Sequence, residues 1–230
     1  MSLLSPLVGT ISHSHVKHNV DLTEKLNGLK ISFDFKLVSF DVTSLFTRVP
    51  VLDLLAFLGD ELKKHNIALP VHIIINLIKL CVVDSKFVFN GEFYNQNFGM
   101  AMSNPLSPVL SNLFMEFFER ELLPSILPKD AIWYRYVDDI LCIWPIAHDL
   151  DDFLPKLNNL VPSIKFTTEI EQNNMLPFLD VTIYRCERYF KFDVFRKPTN
   201  VLSYIHFYSY QHQKTKLCFF FYVLKSIKSL

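Results

Sequence analysis

The segment at residues 132–144 most constrains how this chain can fold, because it places two adjacent aspartates between two strand-forming stretches. The stretches at 132–137 and 140–144 are rich in aromatic and β-branched residues, which predicts a tight hairpin with Asp138 and Asp139 at its apex. Adjacent carboxylates on a short turn attract cations, which indicates a metal site of the kind used in phosphoryl transfer. A solvated turn is an equally good interpretation of these residues alone, because Asp is common in turns.

The composition indicates a folded chain that works inside the cell. Half of the 230 residues are hydrophobic and 22 are Phe, enough for one large domain, alone or with a small appendage. With only five glycines, the chain contains neither GxGxxG nor GxxxxGK, which argues against a glycine-rich phosphate loop. No apolar run approaches the roughly 20 residues of a membrane span, and the first 14 residues do not resemble a secretory signal. The four cysteines are isolated, as expected for reduced core thiols.

The formal net charge of zero conceals a strong asymmetry along the chain. From Arg185 onward, nine Lys or Arg residues and two acidic residues give a charge of +7, which leaves −7 for the first 184 residues. An acidic body that binds metal and a basic end that binds nucleic acid would produce this distribution. A solvated basic face is the simpler alternative for any single cluster.

The order of predicted elements indicates an α+β fold in which an antiparallel sheet has helices packed on one face. We expect a strand at 36–40 that ends at Asp41, a hairpin at 86–94 with a type I′ turn at Asn90-Gly91, and a loop at 99–108. Helices are expected at 21–29, 50–65, 70–83, 108–123 and 149–160, and further strands at 164–170, 178–184 and 189–195. The first helix should begin at Asp21 with Glu24 completing a capping box. The apolar stripe of the second helix should consist of Leu52, Leu55, Leu58 and Leu62.

Three carboxylates converge if the strand that ends at Asp41 and the Asp138-Asp139 hairpin are neighbours in one sheet. Carboxylates held in this way bind two Mg²⁺ ions about 3.5–4 Å apart, one activating the attacking oxygen and one stabilising the leaving group. This is what the joining of nucleotides requires, because charge spreads over the transferred phosphoryl group.

Three motifs in series resemble the palm motifs A, B and C of reverse transcriptases: FDVTSLF at 40–46, NPLSP at 104–108 and YVDD at 136–139. The wording of four longer phrases resembles the Penelope-like retroelement group specifically: KLVSFDVTSLFTRVP at 36–50, GMAMSNPLSPVLSNLFMEFF at 99–118, LPFLDVTI at 176–183 and VFRKPTN at 194–200. The resemblance covers residues 5–216 and implies a right-hand polymerase palm with partial fingers and thumb. It also implies an RNA-directed DNA polymerase of a retrotransposon, in an intracellular, nuclear location, acting on an RNA template, a DNA primer and dNTPs.

The resemblance assigns roles to individual residues. It implies that Asp41, Asp138 and Asp139 are catalytic and, together with the backbone of Val42, bind two Mg²⁺ ions, for which Mn²⁺ could substitute. Residues implied to bind the incoming nucleotide are Thr43, Ser44, Leu45, Phe46, Met102 and Ser103. Residues implied to bind nucleic acid are Asn104, Pro105, Ser107, Tyr136, Leu179 in the primer grip, Arg196 and Lys197.

Phe46 and the aromatic residues of the basic end each have a second interpretation. Phe46 matches the bulky residue that excludes a ribose 2′-OH, but it could be a core Phe. The residues after Lys197, namely Tyr204, His206, Tyr208, Tyr210 and Lys214, would begin the thumb, although the tyrosines could instead pack into the palm.

The chain also departs from the family pattern in three places. Met102-Ser103 stands where Gln-Gly is general, and Ser103 would weaken a backbone that required a positive φ. The basic finger motifs are missing before residue 36, and the resemblance is lost at 217–230. We therefore expect an N-terminal remnant at 1–35, a palm with fingers elements at 36–185, and a primer grip, thumb start and divergent tail at 186–230. The alternative function is a catalytically silent, truncated remnant that binds nucleic acid or has no activity.

Overall fold

The central layer of the molecule is a four-stranded antiparallel sheet. Its strands are β1 (Phe35–Val42), β4 (Ile132–Tyr136), β5 (Asp139–Pro145) and β6 (Phe166–Ile170), in the order β4-β5-β1-β6. The structure is a computed structural model that describes residues 3–29, 34–65, 67, 69–83, 85–187, 189–197 and 208–214. The predicted antiparallel sheet is therefore confirmed, with β1 and β5 as its two inner strands.

One face of this sheet is covered by helices. Alternate side chains of the inner strands, such as Phe40 and Trp144, enter a large hydrophobic core on that face. The helices that contribute to this core are α2 (Leu45–Arg48), α3 (Val51–Lys63), α4 (Val71–Val82), α5 (Ser107–Phe117) and α6 (Leu150–Leu160). The predicted helical layer is thus present on one face.

A second, smaller core lies on the opposite face. There Leu37 and Leu141 of the central sheet pack with the helix α1 and with a three-stranded antiparallel sheet. The elements of this layer are α1 (Asn19–Asn27), β7 (Met175–Phe178), β8 (Val181–Arg185) and β9 (Phe190–Val194). The sequence pattern had predicted strands at 178–184 and 189–195, but neither the strand β7 nor a separate sheet.

Three local predictions need correction. Helix α1 begins at Asn19, because the His18 side chain accepts a hydrogen bond from the Asp21 backbone N–H at 3.1 Å and so acts as the N-cap. In α3, Leu52 is 67% exposed and Leu54 is buried in its place. The predicted strand at 178–184 is two strands joined by a turn at Leu179-Asp180, because Phe178 pairs with Val181.

Other local predictions are confirmed. Strands β2 (Lys86–Phe89) and β3 (Glu92–Asn95) form the expected hairpin, and both turn residues have the positive φ of a type I′ turn, 50° at Asn90 and 82° at Gly91. The helix α5 continues through a π-helical turn at Phe118–Leu122 to a 3₁₀ turn at Leu123–Ser125. No helix within the described ranges is long and apolar enough to cross a membrane.

The predicted domain boundaries stay predictions. Hydrophobic side chains from the N-terminal segment are part of both cores, Leu4 and Leu7 in the larger and Leu22 and Leu26 in the smaller. At the other end, the predicted divergent tail at 217–230 and the thumb residues Tyr204 and His206 lie outside the described residues. Tyr208 and Tyr210 are exposed.

Candidate active site

The pairing of β1 with β5 brings the predicted aspartates together. Asp41 is the direct antiparallel partner of Asp139, so their side chains leave the same face of the sheet with Cβ atoms on the order of 5 Å apart. The Val42 backbone N–H donates to the Asp138 carbonyl at 3.1 Å, which ties the turn to the end of β1. Two segments far apart in sequence thus place three carboxylates at one end of the central strands.

The hairpin turn lies one residue earlier than predicted. Tyr136 pairs with Asp139, so the two turn residues are Val137 and Asp138, and Asp139 is already the first residue of β5. Val137 has a φ of 55°, in the left-handed region that β-branched residues rarely adopt. Such backbone conformations persist only where surrounding contacts hold them, and they are common at functional sites.

A cleft opens beside the aspartates. It has a volume of about 440 Å³, and its lining includes Asp41, Asp139, Thr167 and Glu169 from the central sheet. Leu179, in the β7–β8 turn, also lines the cleft. Leu179 has a φ of 53°, a second left-handed residue in a two-residue hairpin turn next to the cleft. The structure therefore brings the predicted primer-grip residue Leu179 to the same cleft as the aspartates.

The electrostatics of the cleft reflect crowded negative charge. Burial, followed by the charges of Asp138 and Asp41, raises the pKa of the Asp139 carboxyl from 3.8 to about 6, and Lys197 opposes this rise. Burial and the charge of Asp138 also raise the pKa of Asp41. Both carboxyls would therefore ionise more readily if a cation lay between them.

The donor set suits a divalent cation of the Mg²⁺ type. Carboxylate oxygens and a backbone carbonyl are the ligands that such hard cations prefer, and Asp41, Asp138 and Asp139 offer them beside the Val42 backbone. Within the described parts of the chain, no group of three His, Cys, Asp or Glu side chains is already arranged to hold a metal ion. The three aspartates that would hold a divalent cation lie close together, but their side chains would need to turn toward a common centre.

The segment after Asp41 positions the predicted nucleotide-binding residues. The Thr43 backbone N–H donates to the Lys165 carbonyl at 2.8 Å, and Ser44, with a φ of 53°, precedes the short helix α2. The side chains of Val42 and Leu45 are buried, which leaves their backbone as the part that a nucleotide could contact. The two hydrophobic cores formed by the described residues do not include Phe46, which is only partly buried, and this disfavours its interpretation as a core Phe.

A loop hydrogen bond places the predicted Met102-Ser103 pair near Phe46. The Met100 backbone N–H donates to the Phe46 carbonyl at 2.7 Å, and both Met102 and Ser103 are exposed. Ser103 is not among the described residues with a positive φ, so Ser in place of Gly causes no left-handed strain there.

The predicted nucleic-acid contacts differ in accessibility. Ser107 is fully buried and its hydroxyl donates to the Ala101 carbonyl at 2.7 Å, so it supports the start of α5 from inside and offers no surface for direct contact. The Asn104 side chain accepts from the Leu106 backbone N–H at 2.9 Å and holds the same loop. The exposed residues of the set are Pro105, Tyr136, Arg196 and Lys197.

Sequence reasoning missed Arg135, Thr167 and Glu169. Thr167 is the pairing partner of Asp41, and Glu169 is the partner of Ser39, so both positions depend on strand register that no local pattern reveals. Arg135 is fully buried although it is charged. A signal for Arg135 did exist, because residues two apart in a strand share a face and Trp133 is an obvious core residue.

The comparisons with known proteins agree with this arrangement. Residues 13–173 match the family described as reverse transcriptase (RNA-dependent DNA polymerase). No curated protein sequence matches the chain. Among solved structures, telomerase from Candida tropicalis in complex with the TWJ fragment of telomeric RNA is similar with a TM-score of 0.67 at 14% identity, over 98% of this chain and 40% of that one.

Two further telomerase structures give the same result. The Candida albicans enzyme in complex with a TWJ fragment has a TM-score of 0.65 at 14% identity, over 82% of this chain and 37% of that one. The apo Candida tropicalis enzyme truncated from its C-terminal domain has a TM-score of 0.63 at 14% identity, over 83% and 43%. The chain thus spans about two fifths of these relatives, and the similarity confirms the predicted polymerase-palm fold.

Proposed function

The chain belongs to the reverse transcriptase (RNA-dependent DNA polymerase) family, and from this premise we propose that it extends a DNA primer on an RNA template with dNTPs. One observation carries the proposal: Asp41 pairs directly with Asp139, both residues line an open cleft, and Asp138 lies in the adjoining turn. Negative charge concentrated at the edge of a cleft is what nucleotidyl transfer requires of a protein.

The aspartates would hold two Mg²⁺ ions, with Mn²⁺ as a substitute, and the Val42 backbone would complete the site. When bound, such ions polarise the phosphoryl group and lower the pKa of the attacking hydroxyl. The β1–β5 pairing and the hydrogen bond from the Val42 N–H to the Asp138 carbonyl hold the aspartates in register. Because the backbone already keeps the three aspartates together, only a rotation of their side chains would be needed to bring the carboxylates to the ions.

Substrate positioning would come from the segment that follows β1, from Leu179 in the cleft and from the basic residues after β9. The exposed backbone at Thr43 and Ser44 would lie under the incoming triphosphate, and the ring of Phe46 would exclude a ribose 2′-OH by steric clash. Leu179 would support the primer terminus from its place in the cleft. Arg196 and Lys197 are exposed, and Lys197 is close enough to affect the ionisation of Asp139, which suits contact with phosphates that approach the aspartates.

The assignment to the Penelope-like group rests on the residues that make up the motifs. The phrases at 36–50, 99–118 and 176–183 support an origin in a Penelope-like retrotransposon, and a nuclear location follows from that proposed origin. The resemblance to that group covers residues 5–216.

Primer extension on poly(rA)/oligo(dT) with Mg²⁺ tests the proposed function. We expect extension by the wild-type chain and a fall of at least about 100-fold for Asp138→Asn, because one of three converging carboxylates is lost. The matched control is Asp130→Asn, which changes an exposed aspartate in the turn before β4 and should retain wild-type activity. Extension that survives Asp138→Asn would exclude the catalytic assignment, and template-primer binding without extension by the wild type would favour the catalytically silent alternative.

The proposed exclusion of a ribose 2′-OH by Phe46 has its own test. Replacing Phe46 with Ala removes the ring that would clash with a 2′-OH, so the ratio of rNTP to dNTP incorporation should rise by about tenfold or more. Phe93→Ala, at an exposed position of the β2–β3 hairpin, is the matched control. An unchanged ratio in Phe46→Ala would show that the ring does not select the sugar.

A further inference from the structure

The side chain of Arg135 is fully buried, which requires an explanation because isolated buried charge is very unfavourable. Its compensation comes from Glu119, itself almost fully buried. The Arg135 Nε donates to Glu119 Oε1 at 2.5 Å, and Nη2 donates to Glu119 Oε2 at 3.4 Å. Glu119 lies in the π-helical turn that follows α5, a rare feature that is frequent at functional sites.

One nitrogen of the same guanidinium reaches the turn that carries the aspartates. Arg135 Nη1 donates to the Val137 carbonyl at 3.0 Å and to Asn112 Oδ1 at 2.8 Å. Val137 is the left-handed residue directly before Asp138. A hydrogen bond from a charged donor is among the stronger contacts available to hold such a conformation.

Glu119 and the main chain of Arg135 form further hydrogen bonds of their own. The Ser12 hydroxyl donates to Glu119 Oε2 at 2.7 Å, and the Trp133 indole N–H donates to Glu119 Oε1 at 3.3 Å. The Arg135 backbone N–H donates to the Ser14 carbonyl at 2.7 Å, and its carbonyl accepts from the Val16 N–H at 2.8 Å. Arg135 is therefore held on its main chain and side chain together.

We propose that Arg135 is a positioning residue: its buried guanidinium, oriented by Glu119 and Asn112, holds the Val137 carbonyl and so fixes the turn that presents Asp138 and Asp139. The metal-binding role of those aspartates rests on the proposed function, whereas the rigidity of the turn does not. Arg is suited to this task because its planar fork reaches three acceptors at once in a fixed geometry, which the flexible ammonium of Lys does not.

The test uses Arg135→Lys, which keeps the positive charge for Glu119 but loses the planar fork. The matched control is Arg185→Lys, which makes the same change in another largely buried Arg–Glu pair, with Glu171. The Glu171 backbone N–H donates to the Leu37 carbonyl, near the end of β1 that is remote from Asp41. Two measurements need no catalysis: the hydrogen-exchange rate of the Val42 amide, which donates to the Asp138 carbonyl, and the binding of Mn²⁺ alone followed by electron paramagnetic resonance.

In Arg135→Lys we expect exchange at Val42 to become about 10- to 100-fold faster relative to the Leu110 amide in α5, and Mn²⁺ affinity to fall by about 10- to 100-fold. Extension assays should show a lower kcat and a higher Mg²⁺ requirement with an unchanged KM for template-primer. Arg185→Lys should match the wild type in all of these. A folded Arg135→Lys protein with wild-type exchange at Val42 and wild-type Mn²⁺ affinity would overturn the proposal.

If Arg135→Lys does not fold, the double variant Arg135→Met/Glu119→Gln decides. It removes both buried charges, which is often tolerated, and Gln keeps an acceptor for the Trp133 indole. The same two measurements apply, with the same expected and overturning results. A wild-type protein that fails to extend primers would count against the proposed function. Faster exchange of the Val42 amide in either variant would still support the proposal that Arg135 fixes the conformation of the turn.

Discussion

Replacing Asp139 with Asn should make the folded protein more stable at neutral pH while it removes a carboxylate from the cleft. Burial and the charges of Asp138 and Asp41 raise the pKa of Asp139 from 3.8 to about 6, which means that the ionised carboxylate is disfavoured in the folded state. Above pH 6 the wild-type protein therefore carries an unfavourable charge that its unfolded chain does not experience. Asn has a similar shape and no charge.

The expected gain in the free energy of unfolding follows from the rise in the pKa of Asp139. The interval between 3.8 and about 6 corresponds to about 3 kcal/mol at about 1.4 kcal/mol per pH unit. Because Asp139 is only partly buried and solvent screens its neighbours, we expect the substitution to increase the free energy of unfolding by about 1–2 kcal/mol. For a chain of this size that raises the melting temperature by about 2–8 °C.

The pH dependence distinguishes this cause from better packing. A carboxyl whose folded pKa is raised destabilises the fold progressively as pH increases from about 4 to about 6, so the advantage of Asp139→Asn should be small at pH 4, partial at pH 5 and complete at pH 8. Thermal unfolding in chelator at these three pH values measures it, with the exposed Asp130→Asn as control. An advantage that is equal at pH 4 and pH 8, or a variant less stable than the wild type at pH 8, would exclude the charge of Asp139 as the cause.

Three further predictions concern metal and backbone. Mg²⁺ should raise the melting temperature of the wild type more than that of Asp139→Asn, because mass action stabilises only the protein that binds the ion; equal shifts would contradict a site at Asp139. Val137→Asn should increase the free energy of unfolding by about 0.5–1 kcal/mol in denaturant titration, because Asn tolerates the φ of 55° better than Val; a loss of stability would mean that the Val side chain contributes more than its backbone costs. Gly99→Ala should decrease that free energy by about 2–4 kcal/mol, because an added Cβ would lie 2.3 Å from the Thr47 backbone. Gly91→Ala, also at positive φ but with no atom within 4 Å, should cost about 1 kcal/mol, and equal losses at both glycines would exclude the steric explanation.

The local elements could be predicted from the sequence because their causes are local. Period-2 and period-3.6 patterns indicated the strands of the central sheet and the helices that cover it. Asn90-Gly91 specified the turn of the β2–β3 hairpin through the backbone conformations that these residue types adopt readily. The predictions failed where two local signals competed. At the start of α1, His18 acts as the cap where Asp21 had the usual residue type, and at Leu179 a turn interrupts an apolar run that reads as one strand.

The sequence alone singles out Asp41 and Asp138-Asp139 as candidate metal-binding residues, because they stand in motifs whose order indicates a polymerase palm. That Asp41 faces Asp139 follows from the register of the folded sheet, since a shift of one residue would send one of the two side chains to the other face. Only the tertiary structure decided that Arg135 is buried beneath the turn and that Val137 is held in a left-handed conformation. Strand register depends on contacts between segments about 100 residues apart, and the conformation of Val137 depends on a buried network in which Arg135 reaches Asn112, 23 residues away in sequence. A local sequence pattern contains neither kind of contact.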